Sequence, residues 1–463
     1  MPESSSVAAP RLLDRALRRI TTVWRDMAAS VSREEDTSTE TLMRACLDGH
    51  GGEVSARNRA AKLAETYLSL DADGRHEFLR IAASFDTDDA ELAKAVKAVE
   101  VANGPERAAA KSALRRVLEP PRQRLLTQFT SIPDGMKFLV EMRHTLLGLA
   151  KSDPMLAALE ADLRFLLANW FDYGFLELHR IDWNTPAALL EKLVGYEAVH
   201  AITSWRDLKN RLDSDRRCYA FFHPRMPDEP LIFVEVALVR GLADSVQRLL
   251  DEDAPVGDPN QADAAIFYSI SNCQRGLSGI SFGNFLIKRV VGELAPEFPN
   301  LKTFATLSPI PGFRRWLDKQ ISTSDPHLVV EEERAALEVM YPGEAAAAAL
   351  KSALAKPRWR HDPVVAKVLD PILVRLCARY LLAESRGGKA LDPVAHFHLS
   401  NGARVERINP GADVSDKGAK ESATMMVNYL YDPGKIETYH EDYAGAGKRH
   451  ASTVVRKLAR GWV

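Results

Sequence analysis

The feature that most constrains the fold is a change of pattern near Thr185-Pro186. Before it, from Arg11 to about Asp182, apolar residues recur at helical spacing between breaks made by Gly, Asp, Ser and Pro. After it come runs rich in β-branched and aromatic residues, which are typical of strands. A chain of 463 residues has room for two or three domains. We predict two, a helical N-terminal domain over 1–184 and a mixed α/β domain over 185–463.

The N-terminal region is predicted to form a helix bundle. Its clearest helix starts at Asp153-Pro154, where an N-cap is followed by proline at the first helical position. An apolar stripe then recurs at steps of three and four, at Leu156, Leu159, Leu163, Leu166 and Trp170. Such a stripe needs a partner surface, so we expect the helices to pack against one another.

The C-terminal region mixes strands and helices. Six segments are predicted strands: Cys218–His223, Leu231–Val239, Ala265–Ser271, Thr303–Leu307, Ala395–Arg407 and Met426–Tyr431. A helix is expected over Ala187–Val199 and another between the third and fourth strands. A helical insertion, roughly Glu331–Ser385, separates the fourth and fifth strands. This alternation predicts an α+β domain.

Charge and composition exclude several kinds of partner. Lys and Arg total 61 against 63 for Asp and Glu, without a long block of like charge, so nucleic acid is not an expected partner. No stretch approaches the roughly 18 consecutive apolar residues that a membrane span requires, so no membrane is expected either.

Cysteine usage and the N-terminal segment predict the location. The four cysteines, Cys46, Cys218, Cys273 and Cys377, lie far apart, which is typical of reduced thiols rather than of a disulfide framework or thiolate zinc site. Met1–Ser30 contains an amphipathic, Arg-rich stretch that fits either a transit peptide or an ordinary first helix. We favour the helix and expect a cytoplasmic protein.

The third predicted strand runs into a glycine-containing loop, Asn272–Gly279, that leads to a helix with one apolar face. Gly276, Gly279 and Gly283 would let a ligand approach the backbone, and free N–H groups at the helix start suit a pyrophosphate or a developing oxyanion. A tight strand-to-helix turn explains the same glycines equally well. The loop lacks the Walker A and dinucleotide patterns. It loosely resembles the coenzyme A pyrophosphate loop of the N-acetyltransferase (GNAT) fold, with Leu277 where the first glycine belongs.

Ser308 ends the fourth predicted strand. Pro309 and Pro311 follow it, and both remove a backbone donor and fix the local backbone. The strand must therefore stop at Ser308 and present its hydroxyl at a rigid corner. That hydroxyl either acts on a ligand or caps the turn or the helix predicted over Gly312–Lys319.

His396 and His398 fall on one face of the fifth predicted strand, because alternate residues of a strand share a face. Three interpretations stay open. The pair could bind zinc with a third ligand, for which the candidates are His440, Glu441 and Asp442. An imidazole could instead be structural and bonded to the backbone. It could also be a general acid or base, if this strand lies next to the Ser308 corner.

Four segments in order resemble the malonyl-CoA decarboxylase family: Cys218–Pro224, Thr306–Phe313, Asp392–Ala403 and Met425–Tyr431. The similarity extends from about Thr185 to Tyr431. It implies a helical N-terminal domain involved in oligomer contacts and a catalytic domain of the acetyltransferase fold. The expected fold class is therefore α+β multidomain, an N-terminal all-helical bundle followed by an acetyltransferase-like mixed α/β domain with a helical insertion. The resemblance also implies a homo-oligomeric carboxy-lyase that converts malonyl-CoA to acetyl-CoA and carbon dioxide.

The same resemblance implies the site residues. Ser308 corresponds to the family's proton acceptor and His398 to its proton donor, while His396 has no chemical role. The implied substrate-binding residues are Ser269, Gly276, Ser278, Gly279, Ile280, Ser281, Phe282, Gly283, Asn284 and Tyr431. Animal members carry a glutamate where this chain has Ser281, so Ser308 and His398 would act without that carboxylate or with water. No metal and no cofactor are expected, because the coenzyme A thioester is itself the substrate.

The expected chemistry is loss of carbon dioxide to leave a thioester enolate. Backbone N–H groups at the start of the helix over Gly279–Leu294 would stabilise the enolate oxygen. Ser308 would orient the carboxylate, Ile310 and Phe313 would supply apolar walls, and His398 would deliver a proton to the α-carbon.

Two alternative functions remain open. One is an acyltransferase of the same fold with Glu235 as its base, although Glu235 could equally be a strand glutamate that faces solvent. The other is a non-catalytic sensor of coenzyme A esters, in which the helical domain reports occupancy to a protein partner.

Overall fold

The structure of the chain is a computed structural model, which describes residues 23–27, 38–48, 51–280, 286–323, 325, 327–356 and 358–462. Its internal contacts divide the chain into two units. The first, here called the helical unit, comprises Met1–Glu177, Phe222–Leu231 and Asn272–Phe282. The second, the sheet unit, comprises Leu178–Phe221, Ile232–Ser271 and Gly283–Val463. The domain boundary between residues 184 and 185 stays a prediction.

The predicted all-helical bundle is confirmed in the helical unit. Its described helices are α1 (Thr39–Leu47), α2 (Glu53–Ser69), α3 (Ala72–Ser84), α4 (Asp89–Val101), α5 (Gly104–Leu118), α6 (Pro121–Gln128), α7 (Gly135–Leu149) and α8 (Pro154–Trp170). Met1–Ser30, where the first helix was expected, lies outside the described residues except for 23–27, which are helical. No helix in the described part of the chain has the length and apolar content needed to cross a bilayer.

Helix α8 shows how the sequence sets the bundle. The Asp153 carboxylate accepts hydrogen bonds from the backbone N–H groups of Met155 and Leu156, which caps the helix as predicted. The predicted stripe is buried at Leu156, Leu159 and Leu163, but it continues at Leu167 rather than Leu166. The step of four keeps the buried stripe on one face, because a helix turns once every 3.6 residues.

The core of the helical unit centres on Phe138 of α7. Its ring lies edge-on to Trp24 at 5.4 Å and to Tyr67 at 5.5 Å, and 5.0 Å from Phe129, between ring centroids. Aromatic rings in contact prefer such edge-to-face arrangements. This cluster joins α2 and α7 with the turn that precedes α7.

The sheet unit is built on a mixed eight-stranded sheet. Its strands are β1 (Glu177–Ile181), β2 (Arg216–Phe222), β3 (Ile232–Val239), β4 (Ala264–Asn272), β5 (Thr303–Thr306), β6 (Ser308–Pro309), β9 (Arg404–Asn409) and β10 (Met426–Leu430), whereas the short pair β7 (Ser385–Arg386) and β8 (Lys389–Ala390) stands apart. The order is β1-β2-β3-β4-β5-β10-β6, with β9 also paired to β10. β1 lies within the region that was expected to be helical, so that expectation was wrong there.

The register of the central strands positions the candidate site. β4 and β5 are parallel, with Phe267 opposite Thr306, so the predicted strand, loop, helix and strand unit is confirmed. β10 runs antiparallel to both β5 and β6 and places Val427 opposite Ser308. β5 ends at Thr306 and Ser308 begins the short strand β6, so the expected stop at Ser308 was wrong, and β10 pairs the chain on both sides of Leu307.

The helices of the sheet unit include the predicted insertion. They are α9 (Ala187–Tyr196), α10 (Trp205–Arg211), α11 (Val246–Leu249), α12 (Leu286–Glu297), α13 (Phe313–Ser322), α14 (Glu331–Met340), α15 (Ala346–Ala355), α16 (Pro363–Leu382), α17 (Pro393–Ser400), α18 (Asp416–Ser422), α19 (Ile436–Ala446) and α20 (Thr453–Leu458). The insertion consists of α14 to α16. Helix α12 is described from Leu286 onward and includes Pro296, where we expected it to end.

The fifth predicted strand, Ala395–Arg407, was wrong over its first half. Pro393–Ser400 is helix α17, and only Arg404–Asn409 is a strand. The reason is an N-cap signal: the Asp392 carboxylate accepts from the backbone N–H groups of Val394 and Ala395, and Pro393 occupies the first helical position. His396 and His398 therefore lie on a helix, where residues two apart point in directions about 200° apart.

The glycine-containing loop is fastened within the helical unit by Arg143 of α7. This buried guanidinium donates from Nη1 to the carbonyl oxygens of Gly276, at 2.5 Å, and Ser278, at 2.9 Å. A Cβ on Gly276 would run into the backbone carbonyl of Val140, also on α7. Gly276 is therefore explained by close packing of the loop on the helix.

We predict that Gly276→Ala destabilises the chain by about 1–3 kcal/mol, because the added methyl group overlaps the Val140 carbonyl group. The matched control is Gly148→Ala on α7, the helix against which the loop packs. Nothing lies within 4 Å of the Cβ added there, and alanine is the better helix former. Urea denaturation measures the free energy of unfolding of both variants. Equal stabilities would show that the loop does not pack on α7 as described.

Candidate active site

The sheet unit brings Ser308 and His398 together although 90 residues separate them in the chain. Ser308 Oγ lies 3.0 Å from His398 Nε2. Ser308 is only 5% exposed and His398 3%. The serine comes from β6 and the histidine from the last turn of α17, so the predicted contact between the two does not depend on the strand that we expected at His398.

Hydrogen bonding assigns the tautomer of His398. Ser308 Oγ donates to Thr306 Oγ1 at 2.8 Å, so the contact between Ser308 and His398 must use a hydrogen on Nε2 of the imidazole. Nδ1 then accepts from the hydroxyl of Tyr431 at 2.8 Å. The neutral ring thus presents its N–H toward Ser308.

Burial keeps this imidazole uncharged. Desolvation lowers the pKa of His398 to about 3. The ring stacks on Tyr429, with centroids 4.5 Å apart and planes 25° apart. Burial also raises the pKa of the Tyr431 hydroxyl well above its usual value, so Tyr431 stays protonated and able to donate to Nδ1. His398 can therefore deliver a proton from Nε2 without first being charged.

Ser269 is engaged by a carboxylate that the sequence did not indicate. Its hydroxyl donates to Glu197 at 2.8–2.9 Å, and the backbone N–H groups of Val199 and His200 donate to the same carboxylate at 2.7 and 2.8 Å. Glu197 was missed because Ser269 lies 72 residues away in the chain, and no local motif signals that contact. Because the hydroxyl hydrogen of Ser269 is used in the hydrogen bond to Glu197, Ser269 can only accept a hydrogen bond from a ligand.

Asp392 joins the elements that carry Ser308 and His398. One carboxylate oxygen, Oδ1, caps α17 by accepting from Val394 and Ala395 at 2.9 and 3.0 Å. The other oxygen, Oδ2, accepts from the backbone N–H of Gly312 at 3.3 Å, at the far end of the Ser308 corner. Asp392 is fully buried, and desolvation raises its pKa. A single carboxylate therefore fixes the start of the His398 helix to the end of the Ser308 turn.

His396 faces away from this site. Its Nδ1 lies 2.9 Å from the hydroxyl of Tyr443 on α19, so the predicted shared face of the two histidines was wrong. Within the described residues, no group of three His, Cys, Asp or Glu side chains could hold a metal ion. His440 instead contacts the carbonyl oxygen of Ser400 at 2.6 Å.

The predicted loop residues divide into two sets. Ser278, Gly279 and Ile280 are described, whereas Ser281, Phe282, Gly283 and Asn284 lie outside the described residues. The N–H groups of Ser278 and Ile280 donate to carbonyl oxygens within the loop. Gly279 has a φ of +74°, a conformation that favours glycine, and nothing lies within 4 Å of its Cβ position. The Arg164 guanidinium holds its carbonyl oxygen at 3.1 Å.

Glu235 neither faces solvent nor stands free as a base. It is 2% exposed and forms an ion pair with Arg211 at 3.0 Å, and Arg211 also pairs with Asp207 at 2.7 Å. Desolvation raises the pKa of Glu235, and the adjacent Arg211 guanidinium opposes that shift. The expectation of a solvent-facing strand glutamate was wrong, and the ion pair gives Glu235 a structural role.

Comparison with known proteins shows the class and the family. The sequence matches the family models of the malonyl-CoA decarboxylase N-terminal domain over residues 85–171 and C-terminal domain over residues 174–462. A mitochondrial malonyl-CoA decarboxylase from Anser anser anser is 36% identical over 451 residues, which cover 92% of this chain and 89% of that relative. The enzyme of the same name from Rattus norvegicus is 37% identical over 422 residues, covering 87% and 85%.

Solved structures of similar proteins indicate the same family. Crystal structures of malonyl-CoA decarboxylase from Rhodopseudomonas palustris and Agrobacterium vitis match with TM-scores of 0.82 and 0.83 at 43% and 42% identity, each over 91% of this chain and 100% of the other. These relatives are decarboxylases, which places the chain among the carboxy-lyases. It belongs to the malonyl-CoA decarboxylase family, so the predicted family, enzyme class and fold class are confirmed.

We predict that Asp392→Asn lowers the free energy of unfolding by about 1–3 kcal/mol, because the amide N–H₂ group replaces one of the two accepting oxygens and then faces buried backbone N–H donors. Asp362→Asn is the matched control, since Asp362 caps α16 in front of Pro363 in the same way but is not buried. There asparagine should cost little, because it is an equally good N-cap. Equal losses in urea denaturation would mean that Asp392 is no more than a cap.

Proposed function

We propose that this chain decarboxylates malonyl-CoA to acetyl-CoA and carbon dioxide. The observation that supports this most directly is the 3.0 Å contact between Ser308 Oγ and a neutral, buried His398 in a chain of this family. The bond between the α-carbon and the carboxylate breaks, carbon dioxide leaves, and the electron pair stays on the thioester enolate. One proton taken up at the α-carbon completes the reaction, so no oxidant or reductant is needed.

Ser308 and His398 divide this work. Ser308 orients the departing carboxylate by donating its hydroxyl hydrogen to it, which requires the hydroxyl to turn away from Thr306 Oγ1. His398 gives its Nε2 proton to the α-carbon while Nδ1 draws on the hydroxyl of Tyr431, so that negative charge does not remain on the imidazole. Because Tyr431 is buried, its proton returns from solvent only after the product has left the site. Ile310 and Phe313, which are both fully buried, supply apolar surroundings next to Ser308 in the chain.

The coenzyme A portion of the substrate is proposed to bind the loop over Gly276 to Asn284. The Arg143 and Arg164 guanidinium groups fix the described part of this loop through its carbonyl oxygens. The open space beside Gly279 supports a ligand at that point. The N–H groups proposed to stabilise the enolate oxygen belong to the part of the loop that lies outside the described residues. The coenzyme A thioester is the substrate, and the proposal includes no resident metal or cofactor.

We also propose a cytoplasmic homo-oligomer. Large apolar side chains are exposed on the helical unit, among them Phe165, at 61%, and Leu118, at 52%, and these suit contacts with a second copy. All four cysteines are buried and form no disulfide bond, which fits a reducing compartment. Sedimentation analysis of the purified chain tests the oligomer directly.

We predict that the purified chain releases acetyl-CoA from malonyl-CoA without an acyl acceptor and after treatment with EDTA. Thiol release that required an amine acceptor would instead indicate an acyltransferase. Unchanged malonyl-CoA would indicate a sensor. Activity lost to EDTA and restored by zinc would show that the reaction requires a bound metal ion.

In the same assay, Ser308→Ala and His398→Asn should each lower kcat by about 100-fold or more with little change in KM, because both groups act on the malonyl end. The double variant should be little worse than the poorer single variant, as for groups that act as a unit. His396→Asn on the same helix is the control and should retain most activity. If His396→Asn abolished turnover while His398→Asn did not, the proton donor would be wrongly assigned.

The lowered pKa of His398 predicts how stability depends on pH. Between pH 6.5 and about 3 the unfolded chain binds a proton at this residue that the folded chain does not, so stability falls as pH falls. His398→Asn removes this contribution. The loss of stability between pH 7 and pH 5 should therefore be smaller in the variant by about 2 kcal/mol. An identical loss in both proteins, measured by urea denaturation, would show that His398 titrates normally when folded.

A further inference from the structure

A second candidate site lies in the sheet unit, and its lining includes neither Ser308 nor His398. A cavity of about 560 Å³ opens between the segment that leads into α11 and the end of β9. Its walls include Asp244, Arg248, Arg407, Asn409 and Gly411. This volume falls in the range of small-molecule sites in proteins.

The charges around this cavity do not balance. Arg248 is paired with Asp244, one helical turn away. Arg407 is a half-buried cation, and none of its hydrogen bonds goes to a carboxylate. Glu406, the acidic residue next to Arg407 in the sequence, is paired with Arg404 at 2.7 Å. One positive charge on the wall is therefore left without a counterion among the described residues.

Arg407 is held rigidly by neutral acceptors. Nε donates to the amide oxygen of Asn428 at 3.1 Å, and Nη2 donates to the carbonyl oxygens of Leu242 and Ala243 at 2.9 and 3.0 Å. Asn409 donates to the same Asn428 oxygen at 2.9 Å. These bonds leave Nη1 without an acceptor among the described residues. A donor fixed in advance lowers the entropic cost of binding a ligand.

The guanidinium of Arg360 lies next to Gly411 of this wall, although Arg360 does not itself line the cavity. Gly411 has a φ of +64°, and a Cβ there would run into the guanidinium of Arg360. Arg360 is paired with Asp370, so it does not change the charge balance at the cavity, and Arg407 and Arg248 are the guanidinium groups that line it. Planar guanidinium groups match the paired oxygens of carboxylates and phosphates.

We propose that this cavity binds the carboxylate or phosphate group of a small metabolite, with Arg407 as the principal ligand and Arg248 at the rim. An oxyanion supplies the missing negative charge and accepts from Nη1. Burial without a carboxylate partner lowers the pKa of Arg407, which is the shift expected for a guanidinium that has no counterion. The proposal does not depend on the decarboxylase function.

Isothermal titration calorimetry of the full chain with inorganic phosphate, and separately with succinate, tests the site. We expect saturable binding of at least one probe, and the probe that binds distinguishes phosphate-bearing from carboxylate-bearing ligands. Arg407→Gln should weaken that binding by about tenfold or more, because a charge-assisted hydrogen bond is lost. Arg248→Ala, an exposed change that folding tolerates, should weaken it several-fold.

The matched control is Arg44→Ala. Like Arg248, Arg44 is exposed and forms an ion pair with an acidic residue four positions earlier, which is Glu40 on α1. It should leave the affinity unchanged. The proposal is overturned if neither probe binds saturably. It is also overturned if Arg407→Gln and Arg248→Ala, both folded by circular dichroism, bind as tightly as the unmodified chain, since the probe then binds elsewhere.

Discussion

The carboxylate of Asp392 is the constraint on which the candidate active site depends. Ser308 and His398 belong to separate elements, and neither side chain alone can hold the other at 3.0 Å. Asp392 accepts from the backbone on both sides of the pair, at the start of α17 and at Gly312. Because it is fully buried, each donor that it loses leaves an unsatisfied polar group. The serine corner and the histidine helix are therefore fixed to each other through their backbones.

Burial decides what the histidine can do once it is positioned. An exposed imidazole would be partly charged near neutral pH, whereas His398 remains neutral because desolvation lowers its pKa to about 3. Thr306 and Tyr431 then determine which ring nitrogen carries its one proton. The Ser308 hydroxyl donates to Thr306, and the Tyr431 hydroxyl donates to Nδ1, so the proton is on Nε2. The direction of proton transfer is thus a property of the hydrogen-bond network, not of the histidine alone.

Local signals in the sequence predicted most of the fold. Five of the six predicted strands, the N-cap of α8 and the helical insertion follow from residue periodicity and capping, whereas the short strands β1, β6, β7 and β8 were not predicted. The segment at His398 was misassigned because its aromatic and apolar residues outweighed the Asp392-Pro393 cap, although the same signal had located α8. Glu197 and Arg143 could not be predicted, because their roles rest on contacts 72 to 135 residues away in the chain. The Ser308 and His398 pair was accessible only through resemblance to a family.

Arg143 and Arg407 serve two different purposes in this chain, and the two differ in whether a carboxylate pairs with the guanidinium. Irregular segments have carbonyl oxygens with no partner in a helix or sheet, and a guanidinium can bind several of them at once. Arg143 does this for Gly276 and Ser278 while Glu160 accepts from two of its nitrogens, so its charge and its donors are both satisfied. Arg407 binds the carbonyls of Leu242 and Ala243 in the same way but has no carboxylate. The first arrangement is complete as a structural link, whereas the second leaves a charge and a donor at a cavity, which is why a ligand is inferred there and not at Arg143.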